Sequence, residues 1–135
     1  MVVAADAGQD WAIRAVGEDF QIVKTVPGTE LLGMEYSGPF DYAKPEDGKF
    51  WLVIPGDFVT TSAGTGVVHT APAFGEDDSR VAKKEGVGML QLVGPDGCFL
   101  DSVTDFKGRF CKEADRDIIR NMKDRGIVYR SETVR

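Results

Sequence analysis

The order of strand-type and helix-type segments constrains the fold of this chain most strongly. Short apolar or β-branched runs dominate the first half, and only two later segments carry a helical pattern. The runs predict strands at residues 2–5, 11–16, 20–26, 50–54, 58–60, 66–70, 89–93, 98–100 and 127–130. Because helices do not alternate with these strands, a doubly wound sheet is not expected. We predict a single domain over residues 1–135, α+β and β-rich, with a partly closed β-barrel-like core and peripheral helices.

The two predicted helices are defined by charge order and by glycine stops. The first begins near Gly75 or Glu76 and runs to about Glu85, with acids at its start and lysines at its end. Gly86 is its predicted stop. The second spans about residues 111–125, with apolar residues on one stripe and Gly126 just past its end. Residues 30–36 are predicted to be irregular or helical, and residues 39–48 a surface loop.

The charge balance limits the kind of partner. Formal net charge is -6, which argues against a broad nucleic-acid footprint but leaves room for local contact with one nucleic-acid end. The late cations form either a solvated helix face or a rim that meets an RNA backbone or a neighbouring domain. They are Arg109, Lys112, Arg116, Arg120, Lys123, Arg125, Arg130 and Arg135.

Cysteine and histidine usage bears on metal sites. The chain has 2 cysteines, Cys98 and Cys111, and 1 histidine, which do not supply the ligands of an ordinary zinc site. We expect two reduced thiols, no metal and no cofactor. There is no apolar run of ~20 residues and no signal-peptide pattern, so a cytoplasmic location without a membrane is expected. The N-terminus resembles a strand that begins abruptly, as in a piece of a longer chain.

The candidate functional segment is residues 64–78 (GTGVVHTAPAFGEDD). Gly64, Thr65 and Gly66 permit either a simple tight turn or close backbone approach to a ligand. The run through residues 67–68 predicts a strand that enters the core. His69, at its end, is either a packed, hydrogen-bonded residue or part of a pocket wall.

The second part of this segment leads into the first predicted helix. Ala71, Pro72 and the following small residues predict a rigid loop, with Phe74 available to pack or to stack. The three acids that follow either compensate the helix dipole or include one that holds a cationic amino group. Asp78 is the third of them.

Taken together, residues 64–78 resemble the editing-domain (CP1) signature of class I isoleucyl-tRNA synthetases, GTG-aliphatic-VH-x-AP-x-FG-x-ED. The valyl and leucyl enzymes keep the GTG and the proline but depart at the histidine and at the FG. Residues 24–39 (KTVPGTELLGMEYSGP) and 106–129 (FKGRFCKEADRDIIRNMKDRGIVY) resemble further stretches of the same family. The resemblance extends from about residue 22 to the C-terminus.

The resemblance implies hydrolytic editing of valine mischarged on tRNA(Ile), with valyl-adenylate as a further substrate. It implies that Asp78 holds the α-amino group and that His69 limits side-chain size, as the catalytic pair. Substrate contacts are implied for Gly64, Thr65, Gly66, Ala71, Pro72 and Phe74, the glycines lying near the terminal adenosine. The implied partners are the valine-carrying 3′ end of tRNA(Ile) and the rest of the synthetase chain, with the protein a monomer.

One departure from the family pattern matters. The threonine-rich stretch WTTTPWTLP of the family is absent, and so are its HIGH and KMSKS motifs, so aminoacylation is not expected. We expect a piece of the synthetase that carries one wall of the editing pocket. Two alternatives remain: a noncatalytic module that binds the tRNA end, and a freestanding editing protein that acts in trans.

Overall fold

The regular elements of the described part of the chain are helices. The computed structural model describes residues 2–17, 19–62 and 64–131. It contains α1 (Ala7–Val16), a 3-10 helix (Gly28–Leu31), α2 (Glu76–Glu85) and α3 (Cys111–Asp124). The chain divides into two compact units, the first made of Met1–Tyr36 and Leu52–Val87, the second of Ser37–Trp51 and Gly88–Arg135. Each unit therefore joins segments that are distant in sequence.

The predicted β-rich, barrel-like fold is wrong. Within the described residues, strand-type pairing is limited to the isolated antiparallel bridges Glu35↔Leu52, Val93↔Phe99 and Cys98↔Phe110. A β-branched run favours an extended backbone, but a strand forms only where a neighbouring segment completes the hydrogen-bond ladder. In the predicted strand at residues 20–26, Ile22 is 55% exposed and Val23 is 93% exposed. Within the part of the chain that the structure describes, this run has no hydrogen-bond ladder, and residues 20–25 are exposed.

Residues 11–16, predicted as a strand, belong to α1. Gly8, Trp11, Ala12 and Ala15 recur at helical spacing and are buried or half-buried, with Ala12 only 2% exposed. The residues of this run with high strand propensity, such as Ile13 and Val16, therefore lie on a helix whose inner face consists mainly of small residues. The amide of Gly17 ends the helix by donating to the Ile13 carbonyl at 2.9 Å.

The two predicted helices are confirmed. α2 ends at Gly86, which has the left-handed conformation (φ 70°, ψ 30°) that favours glycine. α3 is followed by Gly126 at φ 68°, and the Ile127 amide donates to the Met122 carbonyl at 3.1 Å. In both cases the glycine allows the chain to turn back and satisfy carbonyls of the last helical turn.

The core of the second unit draws on the segment predicted as a surface loop. Its buried centre consists of Ala114 (0% exposed), Val103 (3%) and Phe106 (6%). Phe40 and Tyr42 pack against this centre, with their rings stacked at 5.3 Å between centroids. The apolar rings of residues 39–48 therefore act as core, while the polar residues around them stay at the surface.

Two tight turns are closed by backbone hydrogen bonds. The Gly97 amide donates to the Gly94 carbonyl at 3.0 Å, and the Val59 amide donates to the Gly56 carbonyl at 3.1 Å.

No helix among the described residues combines the length and the hydropathy needed to cross a membrane.

Candidate functional site

The candidate site lies in the first unit, and its glycine turn is closed by the N-terminal segment. Gly64 and Gly66 have φ of 65° and 70°, and the Thr65 carbonyl accepts a hydrogen bond from the Ala4 amide at 2.6 Å. A Cβ placed on Gly66 would lie 2.5 Å from the Ala4 Cβ, whereas Gly64 faces open space. Glycine is therefore required twice over at residue 66, by conformation and by close approach.

Thr65 stabilises the same turn with its side chain. Its Oγ1 donates to the Val67 carbonyl at 2.9 Å and accepts from the Val67 amide at 3.2 Å. The turn is thus fixed from both sides, by its own hydroxyl and by the backbone of residue 4. The sequence predicts either a simple tight turn or close backbone approach to a ligand at residues 64–66. The structure shows a turn that is held in one geometry without a ligand.

The predicted buried strand at residues 66–70 is wrong. Val67 is 56% exposed and Val68 is 52% exposed, and His69 is exposed as well. The two valines favour burial, but in this chain the described residues supply no sheet partner and no apolar layer on either side. The His69 ring is therefore accessible to a ligand rather than packed in a core.

The loop that follows His69 is held by Asp78. The Phe74 amide donates to the Ala71 carbonyl at 2.9 Å, which forms a turn. The Ala71 amide donates to Asp78 Oδ2 at 3.0 Å, and a Cβ on Gly75 would lie 2.9 Å from that same oxygen. Asp78 thus joins the first turn of α2 to the loop before it.

The neighbouring acids of α2 are placed differently from Asp78. Asp77 Oδ1 accepts from Arg80 at 2.8 Å, and Arg80 also lies 3.7 Å from Asp57. This hydrogen bond to Asp77, with the charge of Asp57, raises the pKa of the Arg80 guanidinium. Asp77 and Glu76 are exposed, whereas Asp78 is half-buried. The structure therefore separates one carboxylate that faces the loop from two that face solvent.

Some predicted site residues meet, and others do not. Ala71 and Asp78 are in contact, while Pro72 is half-buried and Phe74 is 64% exposed within the same turn. No hydrogen bond joins His69 to Asp78 in the described part of the chain. The predicted catalytic pair therefore stands as two separate side chains on one segment.

Sequence reasoning missed the N-terminal residues of this region. Ala4 closes over Gly66, and Thr61 Oγ1 donates to Asp6 Oδ2 at 2.9 Å, across a sequence separation of 55 residues. No local signal in the sequence marks either contact, because a pairing over such a distance depends on the fold. Residues 4–6 are consequently part of the surroundings of the glycine turn.

Known proteins match this chain over most of its length. The Isoleucine–tRNA ligase of Clostridium tetani is 47% identical over 114 residues, which cover 84% of this chain and 11% of the ligase. That of Clostridium novyi is 44% identical over 92% of this chain, and that of Bdellovibrio bacteriovorus is 38% identical over 98%. The chain is homologous to one segment of the isoleucine–tRNA ligases.

The isoleucine–tRNA ligase matches include the candidate site. The match covers 84% of the chain, and the unmatched remainder is too short to reach residues 64–78 from either end. The chain spans about 11–13% of the length of the isoleucine–tRNA ligases it matches. No family model matches the chain.

Proposed function

We propose that residues 1–135 are the editing domain of an isoleucine–tRNA ligase and hydrolyse the ester that joins valine to tRNA(Ile). The observation that carries this proposal is the half-buried Asp78 carboxylate, which is held against the loop at residues 71–75 within a segment that resembles the editing signature. Homology to isoleucine–tRNA ligases supports the choice of tRNA.

The need for such an activity follows from the chemistry of the two amino acids. Valine lacks one methylene of isoleucine, and that difference is worth only about 1–3 kcal/mol of discrimination in an apolar pocket. A synthetic site therefore accepts valine too often. A second, hydrolytic site that admits valine and rejects isoleucine corrects the error.

Asp78 is the proposed contact for the α-amino group of the valyl ester. One oxygen, Oδ2, accepts from the Ala71 amide, which fixes the orientation of the carboxylate. An ionised carboxylate offers about four acceptor positions, so it retains capacity for an ammonium group. A charge-assisted hydrogen bond of this kind orients the substrate as well as binding it. The same contact places the ester carbonyl relative to the glycine turn.

His69 and the glycine turn complete the proposed site. The exposed His69 ring limits the size of the side chain that enters, and the turn at residues 64–66 approaches the terminal adenosine. Ala71, Pro72 and Phe74 contact the substrate from the loop. A water oxygen attacks the ester carbonyl carbon, and the bond from that carbon to the ribose oxygen breaks. Of the two protons of the water, one goes to the ribose oxygen, which leaves as a hydroxyl, and the other passes to solvent as valine leaves as its carboxylate. Positioning supplies most of the acceleration.

Release of valine from valyl-tRNA(Ile) by the 135-residue chain tests this proposal. The wild-type chain is expected to release valine and to spare isoleucyl-tRNA(Ile). Asp78→Asn keeps an oxygen for the Ala71 amide but removes the negative charge, so kcat/KM should fall roughly 10- to 100-fold. Asp77→Asn is the matched control, because it removes the same charge from the adjacent, exposed residue.

Each other outcome has a defined meaning. Equal losses in the Asp77 and Asp78 variants would contradict the assigned role of Asp78. Isoleucyl-tRNA hydrolysis as fast as valyl-tRNA hydrolysis would contradict size selection. A chain that binds tRNA(Ile) but releases no valine would be either a noncatalytic module that binds the tRNA end or one wall of a pocket that lacks its threonine-rich wall. Adding the stretch WTTTPWTLP upstream of residue 2 should restore hydrolysis only in the second case.

A further inference from the structure

α3 has an inner and an outer face that differ sharply in character. Ala114 is fully buried, and Ile118, Asn121 and Met122 are half-buried on the same side. The outer side carries four exposed cations that recur at helical spacing. They are Lys112, Arg116, Arg120 and Lys123, and together they form the basic stripe.

The spacing of the basic stripe matches a linear anion. With about 3.6 residues per turn, the four positions fall within a sector of roughly 80° on the side opposite the inner face. With a rise of about 1.5 Å per residue, they extend over roughly 16 Å of helix axis. A row of charges of this length faces several successive phosphates of a nucleic-acid strand.

Two other late cations, Arg109 and Arg125, make contacts within the second unit. Arg109 Nη2 donates to Asp117 Oδ2 at 2.8 Å. Arg125 donates to the Pro39 carbonyl at 2.5 Å, and its guanidinium lies 5.1 Å from the centre of the Phe40 ring. Both are therefore engaged in holding the second unit together. Arg135 lies outside the described residues.

The carboxylates of α3 pair with two of the four cations of the basic stripe, and the charge of Arg116 also acts on Asp117. Lys112 lies 4.0 Å from Asp115, and Arg120 lies 3.2 Å from Asp117, both as exposed pairs. Among the described residues, no carboxylate comes within 4.0 Å of Arg116 or Lys123. Exposed ion pairs contribute little free energy, so replacing the carboxylate partner of such a cation by a phosphate group costs little.

We propose that the basic stripe docks on the sugar–phosphate backbone of tRNA. The choice of tRNA as the polyanion rests on the proposed function, while the stripe itself rests on its charge complementarity to a phosphate row. Because formal net charge is -6, attraction of RNA to this protein requires a local positive surface, and the outer face of α3 provides one. Contacts of this kind set position and affinity without reading bases.

The test measures binding of uncharged tRNA(Ile) transcript to the 135-residue chain over a range of salt concentrations. Arg116→Gln with Lys123→Gln removes two phosphate contacts, so the slope of log K against log salt should become shallower by about 1.8. Affinity at ~0.05 M salt should fall roughly 10-fold. Lys83→Gln with Lys84→Gln is the matched control, because it removes two exposed lysine charges from the last turn of α2. It should leave the slope unchanged.

The outcomes separate this proposal from the editing activity. An unchanged slope in the Arg116 and Lys123 variant, an equal change in the control, or no tRNA binding by the wild-type chain would overturn the docking surface. If the wild-type chain releases no valine and yet the slope falls only in the stripe variant, the editing proposal fails and the docking surface stands. Circular dichroism of both variants, expected to match wild type, excludes unfolding as the cause.

Discussion

The backbone amide of Ala71 donates to Asp78 Oδ2 at 3.0 Å, so a carboxylate in the first turn of α2 holds the loop seven residues before it. This gives Asp78 a structural task beside its proposed contact with substrate. A loss of activity in an Asp78 variant therefore has two possible origins, and the stability of the variants distinguishes them.

We predict that Asp78→Ala is more destabilising than Asp78→Asn. Alanine leaves the Ala71 amide without its acceptor, at a cost of about 1–3 kcal/mol, whereas asparagine keeps an oxygen in place. Asparagine loses only the interaction of a negative charge with the helix N-terminus, about 0.3–1 kcal/mol. Urea denaturation monitored by circular dichroism measures both values. Equal destabilisation would mean that the contact with Ala71 contributes no stability.

Gly66→Ala should cost more stability than Gly64→Ala. Both residues have positive φ, so alanine is strained by about 1–2 kcal/mol at either position. Only at residue 66 would the new Cβ also meet the Ala4 Cβ, at 2.5 Å. Adding Ala4→Gly to Gly66→Ala should recover the difference between the two single variants. Thermal unfolding of the four proteins is the measurement, and no recovery in the double variant would refute the proposed clash.

Tyr42 should make stability depend on alkaline pH. Its hydroxyl donates to Asp105 Oδ2 at 2.7 Å, and burial, followed by the hydrogen bond and charge of Asp105, raises the pKa of Tyr42 from 10.0 to about 12. Because the pKa is higher in the folded state, the stabilising contribution is present below pH 10 and is lost as pH rises through about 12. Tyr42→Phe should lack this loss in urea denaturation between those values.

A second variant checks the cause of the Tyr42 effect. Asp105→Asn removes the charge that opposes ionisation, so tyrosinate absorbance should report a lower pKa for Tyr42 than in wild type. Asp101→Asn, an exposed acid in the same region, should leave the titration unchanged. Identical titration curves for all three proteins would contradict the assigned interaction.

Asp117 should make the stability of the folded protein depend on pH in the acidic range. The hydrogen bond from Arg109, joined by the charges of Arg109 and Arg120, lowers the pKa of Asp117. A carboxyl with a lowered folded pKa stabilises the protein above its unfolded pKa, and this contribution is lost as pH falls through the folded value. Asp117→Asn should therefore be less stable at neutral pH and should lose less stability on acidification. Asp115→Asn, which removes a charge paired at 4.0 Å, is the control in urea titrations from neutral to acidic pH.

The helices were predictable because their signals are local. α2 and α3 carry acids at their starts, bases at their ends and a glycine beyond the last turn, and each of these acts within a few residues. α1 carried a helical signal too, in the spacing of Gly8, Trp11, Ala12 and Ala15. That signal was outweighed by the strand propensity of the large residues in the same run.

The apolar runs led to a wrong prediction of a barrel, because strand pairing depends on distant segments and not on local composition. Glu35 and Leu52 meet at a single bridge, although the run at residues 50–54 has the composition of a buried strand. Composition measures how well a residue suits an extended backbone. It does not say whether a partner segment arrives beside it.

The candidate site was predictable as a segment but not in its internal contacts. The sequence places His69 and three acids close together in one run, yet it does not distinguish Asp77 from Asp78. That distinction depends on the direction in which each carboxylate points, toward Arg80 in one case and toward Ala71 in the other. The closure of Ala4 over Gly66 depends on the fold in the same way.

The contact between Tyr42 and Asp105, separated by 63 residues, has a consequence for how the second unit is made. During synthesis, Phe40 and Tyr42 leave the ribosome well before Phe106 and α3 exist to cover them. Closing such a long loop also carries an entropic cost that slows productive collapse. The stacked rings of Phe40 and Tyr42 thus stay uncovered in the nascent chain until the second part of this unit has been synthesised. During that time a chaperone, or self-association of the chain, competes with folding at these two rings.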